Sequence, residues 1–139
     1  MAKGNSKRKN INGNDIELLV PAGGTEQFLA AVENGADAIY VGGQLFNARA
    51  GAQNLNDDEL VLALDYDHKR GVKVYVTMNT LLSDDELEPA LRYASFLHDS
   101  GVDAIIVQDL GLGELVHRAL PDLELHMSTQ ATITDVRSA

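Results

Sequence analysis

The chain has no cysteine and no tryptophan, three prolines, and only 5% aromatic residues. Without cysteine there can be no disulfide, no thiolate nucleophile, and no cysteine-ligated zinc or iron–sulfur site within these residues. No apolar run approaches the roughly 20 residues needed to cross a bilayer. The opening Met1-Ala2-Lys3-Gly4-Asn5-Ser6 has no apolar segment behind it, so no secretory signal is expected. The expected compartment is the cytoplasm, with no membrane partner. Two catalytic signatures are also missing: the His-Glu-x-x-His zinc motif and the Gly-x-Ser-x-Gly nucleophile elbow.

Basic residues are scarce beyond the N-terminus. Lys3, Lys7, Arg8 and Lys9 stand in the first thirteen residues with no acid among them, leaving seven bases against 21 acids in the rest. Residues 1–15 read as a disordered basic leader rich in Asn, Gly and Ser, with an RNA-binding arm as the alternative. The acidic remainder repels nucleic-acid phosphate unless a local basic patch offsets it.

What is present is ordinary for a globular domain: 139 residues, 45% apolar and 23% charged, enough for one sizeable core. From Glu17 onward, short apolar runs alternate with helical patterns. Strands are expected at Glu17–Pro21, Ala38–Gly42, Lys73–Asn79, Ala104–Gln108 and Glu124–Thr129. They are rich in Val, Ile and Leu and mostly lack strict alternation, as strands covered on both faces do. Helices fit between them at Thr25–Asn34, Asp57–Arg70, Asp84–Asp99 and Gly111–Ala119. Asn56 with Glu59, and Ser83 with Glu86, have capping-box spacing. Leu87, Leu91, Ala94 and Leu97 form one apolar stripe, and Pro89 is expected to kink that helix or delay its regular part to near Glu88.

Three helices run into glycines suited to a left-handed C-cap. Gly35-Ala-Asp-Ala-Ile-Tyr-Val41, Gly71-Val-Lys-Val-Tyr-Val76 and Gly101-Val-Asp-Ala-Ile-Ile-Val107 are near-copies of one phrase that ends a helix and enters a strand. A repeated βα unit means a parallel sheet, because parallel neighbours need a crossover. Two architectures share the pattern. A doubly wound sheet would be complete with five strands. A TIM-type barrel has eight units and about 250 residues, so this chain would hold its first five strands. Residues 132–139 look like the opening of another loop and helix, which favours the partial barrel over residues 16–139.

The strand ends carry unusual phrases: Glu17-Leu-Leu-Val-Pro-Ala-Gly23, Tyr40-Val-Gly-Gly43, Phe46-Asn-Ala-Arg-Ala50, Val76-Thr-Met-Asn-Thr-Leu81, Val107-Gln-Asp-Leu-Gly111 and His126-Met-Ser-Thr-Gln130. Together and in order, over about residues 16–135, they resemble the collagenase-like peptidase family of unknown catalytic type, family U32. The resemblance implies a barrel-type catalytic domain. Members are described as peptidases acting on collagen-like substrates, as hydroxylases of transfer or ribosomal RNA bases, or as iron–sulfur proteins in quinone hydroxylation. The family's cysteine motifs lie beyond residue 139, so any cluster would belong to a longer protein. The expected partners are a peptide or RNA substrate, and a missing C-terminal region or a second copy.

Barrel chemistry collects at the C-terminal ends of strands, and the polar phrases fall there. Alternation puts Tyr75, Thr77 and Asn79 on one face and His126, Ser128 and Gln130 on another. Gln108 and Asp109 close the fourth strand, and Thr80 follows Asn79. Asn47 and Arg49 sit on the long loop after the second strand, where Arg could grip an anion with its bidentate fork. The expected catalytic pair is His126 and Ser128. The expected substrate-binding set is Asn47, Arg49, Asn79, Thr80, Gln108, Asp109 and Gln130, with no metal. The competing reading is that these residues cap helices and satisfy loop backbone. For His126 a satisfied core histidine is the rival to an acid–base role. His68, His98 and His117, in last helical turns, read as structural complements of the helix dipole. Pro21-Ala-Gly-Gly24 reads as a tight turn. Asp57-Asp58-Glu59 and Asp84-Asp85-Glu86 read as solvated first-turn acids. The rivals to a peptidase-type segment are a fragment of an RNA base hydroxylase and a non-catalytic truncated module that self-associates through its open edges.

Overall fold

Gly35, Gly71 and Gly101 adopt φ of 85°, 72° and 94°, the left-handed conformation that a glycine tolerates at a helix end. These turns set the rhythm of the chain. The computed structural model describes residues 8–9, 15–43, 45–46 and 54–131. Within the stretch read as a leader, β1 (Arg8–Lys9) pairs antiparallel with β2 (Asp15–Ile16). Then follow β3 (Leu19–Ala22), α1 (Thr25–Glu33), β4 (Ala38–Gly42), α2 (Asp57–His68), β5 (Lys73–Met78), α3 (Asp84–Ser100), β6 (Ala104–Val107), α4 (Leu110–Ala119) and β7 (Glu124–Met127). A 3₁₀ turn spans Thr129–Ala131. Most expected boundaries hold within one or two residues.

The main sheet has the order β3-β4-β5-β6-β7, every neighbouring pair parallel. Sequential order decides between the two architectures. A doubly wound sheet reverses direction at a switch point and puts helices on both faces; among the described residues this sheet does neither. Ile39, Val41, Val74, Val76, Met78, Ile105 and Val107 pack against Phe28, Leu60, Leu64, Ala94, Leu97, Leu112 and Val116 in one core. The opposite face carries Ala38, Tyr75 and Ala104, with Tyr40 and Ile106 against them. The fold is an α/β sheet of barrel type that is not closed. Each fully buried large side chain in the helix-side core, such as Phe28 or Leu97, contributes about 1.5–3 kcal/mol.

Two local details differ from the sequence reading. Pro89 lies inside α3, which spans Asp84 to Ser100, so its regular part begins ahead of Glu88. Only one backbone donor is lost, and the Leu97 stripe on the same helix holds it to the sheet. The expected first strand, Glu17–Pro21, is observed at Leu19–Ala22, leaving Glu17 just ahead of the ladder. The capping box at α2 forms as expected, with Asn56 Oδ1 accepting from Glu59 N at 2.8 Å and Glu59 Oε2 accepting from Asn56 N at 3.0 Å.

Candidate functional site

The register aligns the strand tips. Met78 pairs with Val107, and Val107 with Met127. Asn79, Gln108 and Ser128 are the residues that follow these three, so they form one row across the ends of β5, β6 and β7. Alternation places all three on the open face. One row below, Thr77, Ile106 and His126 are aligned, and below that Tyr75, Ala104 and Glu124. The sequence put the β5 and β7 residues on separate faces; the register joins them on one. Ser128 is fixed by its amide, which donates to Val107 O at 2.7 Å.

Asp109 does different work. Its Oδ1 accepts from Leu112 N at 2.9 Å, capping α4, and its Oδ2 accepts from Leu82 N at 3.1 Å. Both carboxylate oxygens thus bind backbone amides and tie the β5–α3 loop to the start of α4. These bonds give Asp109 the helix-capping role that was the competing reading. Thr80 sits half-buried at the bend after β5. Gln130 lies in the 3₁₀ turn, and its side chain falls outside the described residues, as do Asn47 and Arg49.

His126 lies inside the open face rather than at its rim. Its Nε2 hydrogen-bonds Glu124 Oε1. Its ring meets Tyr75 edge to face, centroids 4.7 Å apart at 73°. Tyr75 stands two strands away, and the contact is possible because Ala104 on the strand between carries only a methyl group. On its other side Tyr75 Oη donates to Glu17 Oε1 at 2.9 Å. Burial first, then the Glu17 hydrogen bond, hold the Tyr75 phenol well above its ordinary range. The sequence reading placed Tyr75 on the polar face but did not single out Glu17 or Glu124. The Glu124-x-His126 spacing was the readable signal, since alternation puts i and i+2 on one face.

Two of the three histidines assigned to structure, His68 and His98, have carboxylate partners. His68 Nε2 lies 2.8 Å from Asp103 Oδ2, and His98 Nε2 lies 3.1 Å from Asp122 Oδ2. The His98 hydrogen bond is the leading cause that lowers the Asp122 pKa. Both clasps, like Asp103 itself, lie at the N-terminal ends of strands, away from the polar row. An iron–sulfur cluster, which the resemblance raises for longer proteins, finds no thiolate in this chain. No described helix is long and apolar enough to cross a membrane.

The family model for peptidase family U32 matches residues 23–139. The 23S rRNA 5-hydroxycytidine C2501 synthase of Escherichia coli is 45% identical over 129 residues, covering 93% of this chain and 19% of that protein. The tRNA hydroxylation protein P1 of Bacillus subtilis is 36% identical, covering 90% of this chain and 31% of its own length. A collagenase of Porphyromonas gingivalis is 30% identical over 92% of this chain and 31% of that protein. Among solved structures, the U32 peptidase Mk0906 superposes with a TM-score of 0.67 at 19% identity, covering 94% of this chain and 56% of that one. The chain thus spans about a fifth to a third of these three curated relatives, and the structural likeness supports the fold alone.

Proposed function

The chain belongs to peptidase family U32, and from that premise we propose that it supplies the N-terminal wall of a substrate-binding mouth in a barrel that modifies RNA bases. The observation that carries this reading is the row Asn79, Gln108 and Ser128 at the tips of three adjacent parallel strands. Amide and hydroxyl groups can both donate and accept, which suits the edge of a nucleobase better than a phosphate. Below them His126 is the acid–base group of the face, with Ser128 one row above it. The acidic body is compatible with RNA if phosphate contacts come from elsewhere, including the basic residues 3–9 or the remainder of a longer barrel. Residues 16–139 form one partial barrel domain after a basic leader, acting in the cytoplasm where ribosomal and transfer RNA are modified. The relatives at 45% and 36% identity, both named for RNA hydroxylation, favour this substrate class.

A second reading, cleavage of a collagen-like peptide, rests on the relative named a collagenase at 30% identity. One experiment separates them. Ribosomal and transfer RNA from cells lacking the gene are digested, and hydroxylated nucleosides are measured by mass spectrometry. A hydroxylated nucleoside that disappears and returns on complementation supports the RNA reading. Unchanged nucleosides, with gelatin cleavage by the purified intact protein, would replace it with the peptide reading.

A further inference from the structure

Glu124 and His126 face the same way from β7, and the hydrogen bond between them is specific to one ring nitrogen, Nε2. An ionised carboxylate can only accept, so a neutral His126 must carry its proton on Nε2 and its lone pair on Nδ1. Tyr75 restrains the ring from the side through the edge contact at 4.7 Å. Tyr75 is itself buried and anchored to Glu17, 2.9 Å away across β4. The ring is thus held by a bond along its own strand and a wall from another. Orientation plus a fixed tautomer is the arrangement by which a carboxylate prepares a histidine for proton transfer.

We propose that Glu124 is the positioning residue that presents His126 Nδ1 as the proton-exchanging atom of the open face, with Tyr75 as the wall that keeps the ring in place. The proposal rests on the reading of His126 as the acid–base group and adds the residue that prepares it. The ionisable groups around the imidazole are Glu124 on its own strand, Tyr75 on β5, and Glu17 ahead of β3. Asp103, ahead of β6, is a weaker electrostatic influence on Tyr75, behind burial, Glu17 and Glu124. None of the carboxylates Glu17, Glu124 and Asp103 can donate to Nδ1 when ionised, which leaves that atom to a ligand proton. Glu124 is exposed, at 62% of its side-chain surface, so its replacement should leave the fold intact.

The test combines imidazole nitrogen NMR on the intact protein with nucleoside hydroxylation in cells. Wild type should show the Nε2–H tautomer of neutral His126. Glu124→Ala should lose that bias and lower hydroxylation about tenfold or more, in kcat rather than KM once purified activity is measured. Glu124→Gln keeps an acceptor opposite Nε2 and should restore both tautomer and most of the activity. The same tautomer mixture in wild type and Glu124→Ala would overturn the proposal, as would full activity in Glu124→Ala alongside an inactive His126→Gln. Full activity in His126→Gln would instead remove the acid–base reading on which the proposal rests, whatever the tautomer.

Discussion

Asp37 and Asp103 hold equivalent places in two copies of the repeated phrase and do the same job. Asp37 Oδ2 accepts from Leu18 N at 2.7 Å, and Asp103 Oδ2 accepts from Val74 N at 2.8 Å. In each case the carboxylate at the start of one strand fastens the backbone at the start of the strand before it. The backbone repeats the link in the other direction, Ala38 N to Leu18 O at 3.1 Å and Asp103 N to Val74 O at 3.0 Å. Asp103 also receives His68. These aspartates register the sheet at the end opposite the polar row. Replacing either with Ala leaves a part-buried amide without its carboxylate acceptor and should cost about 1–3 kcal/mol. Urea unfolding measures this; a loss below a few tenths of a kcal/mol in both variants would contradict it.

Asp67 predicts an unusual dependence on pH. It is fully buried on α2, and neither carboxylate oxygen has a hydrogen-bond partner. Burial pushes its pKa up from 3.8 to about 7; His68 and Arg70 pull it down and Asp103 pushes it up, each less than burial does. Between those two values the folded chain holds a proton that the unfolded chain has released. Stability from this group is therefore full below about pH 4 and is lost as pH rises toward about 7, by roughly 4 kcal/mol at most. Asp67→Asn should flatten the curve of unfolding free energy against pH and be the more stable protein at pH 8. Parallel curves for the two proteins would show that Asp67 is not the source.

Gly43 and Tyr93 form a close contact that admits no side chain. A Cβ on Gly43 would sit 1.9 Å from Tyr93 Oη. Gly43→Ala must displace a buried ring that also packs on Phe46 and Phe96, costing about 1–3 kcal/mol. Tyr93 Oη is buried without a partner, and burial pushes its pKa up to about 12. Tyr93→Phe should therefore be neutral or stabilising, and the double variant should recover part of the Gly43→Ala loss. Thermal melts of the single and double variants give the coupling directly. Additive losses would mean that the hydroxyl is not the obstacle.

The polar row predicts a separation of function from stability. Gln108→Ala and Asn79→Ala lie at strand tips outside the packed core and should change unfolding free energy by less than about 1 kcal/mol. If the proposed RNA reading holds, each lowers nucleoside hydroxylation in complemented cells. Asp109→Ala is the contrasting case, because it removes the α4 cap and the clamp on Leu82. It should cost about 1–2 kcal/mol before any effect on substrate. Equal stability losses in all three would make the row structural.

Much of the fold was legible because it rests on local chemistry. Gly35, Gly71 and Gly101 end helices since glycine has no Cβ to clash at positive φ, and Asn56 with Glu59 announces α2 by satisfying its first amides. The site was legible only in part. Asn79, Gln108, Ser128 and His126 could be named as strand-end polar residues, but Asp109 has the same composition signal and serves as a cap. Asp67 gave no signal at all: a carboxylate in a helix of mixed pattern reads as solvated until neighbouring elements close over it.

By itself the sequence determined the succession of the five parallel strands and the four helices between them, their caps, and the parallel direction of the sheet, since each follows from interactions within a few residues or from the crossover length; the short β1–β2 pair it did not announce. Only the tertiary structure decided that α1, α2, α3 and α4 share one face, that Tyr75 reaches across Ala104 to His126, and that Glu124 engages Nε2. Those contacts join residues on different strands through register and side-chain volume, and a linear pattern carries no information about which distant strand lies alongside.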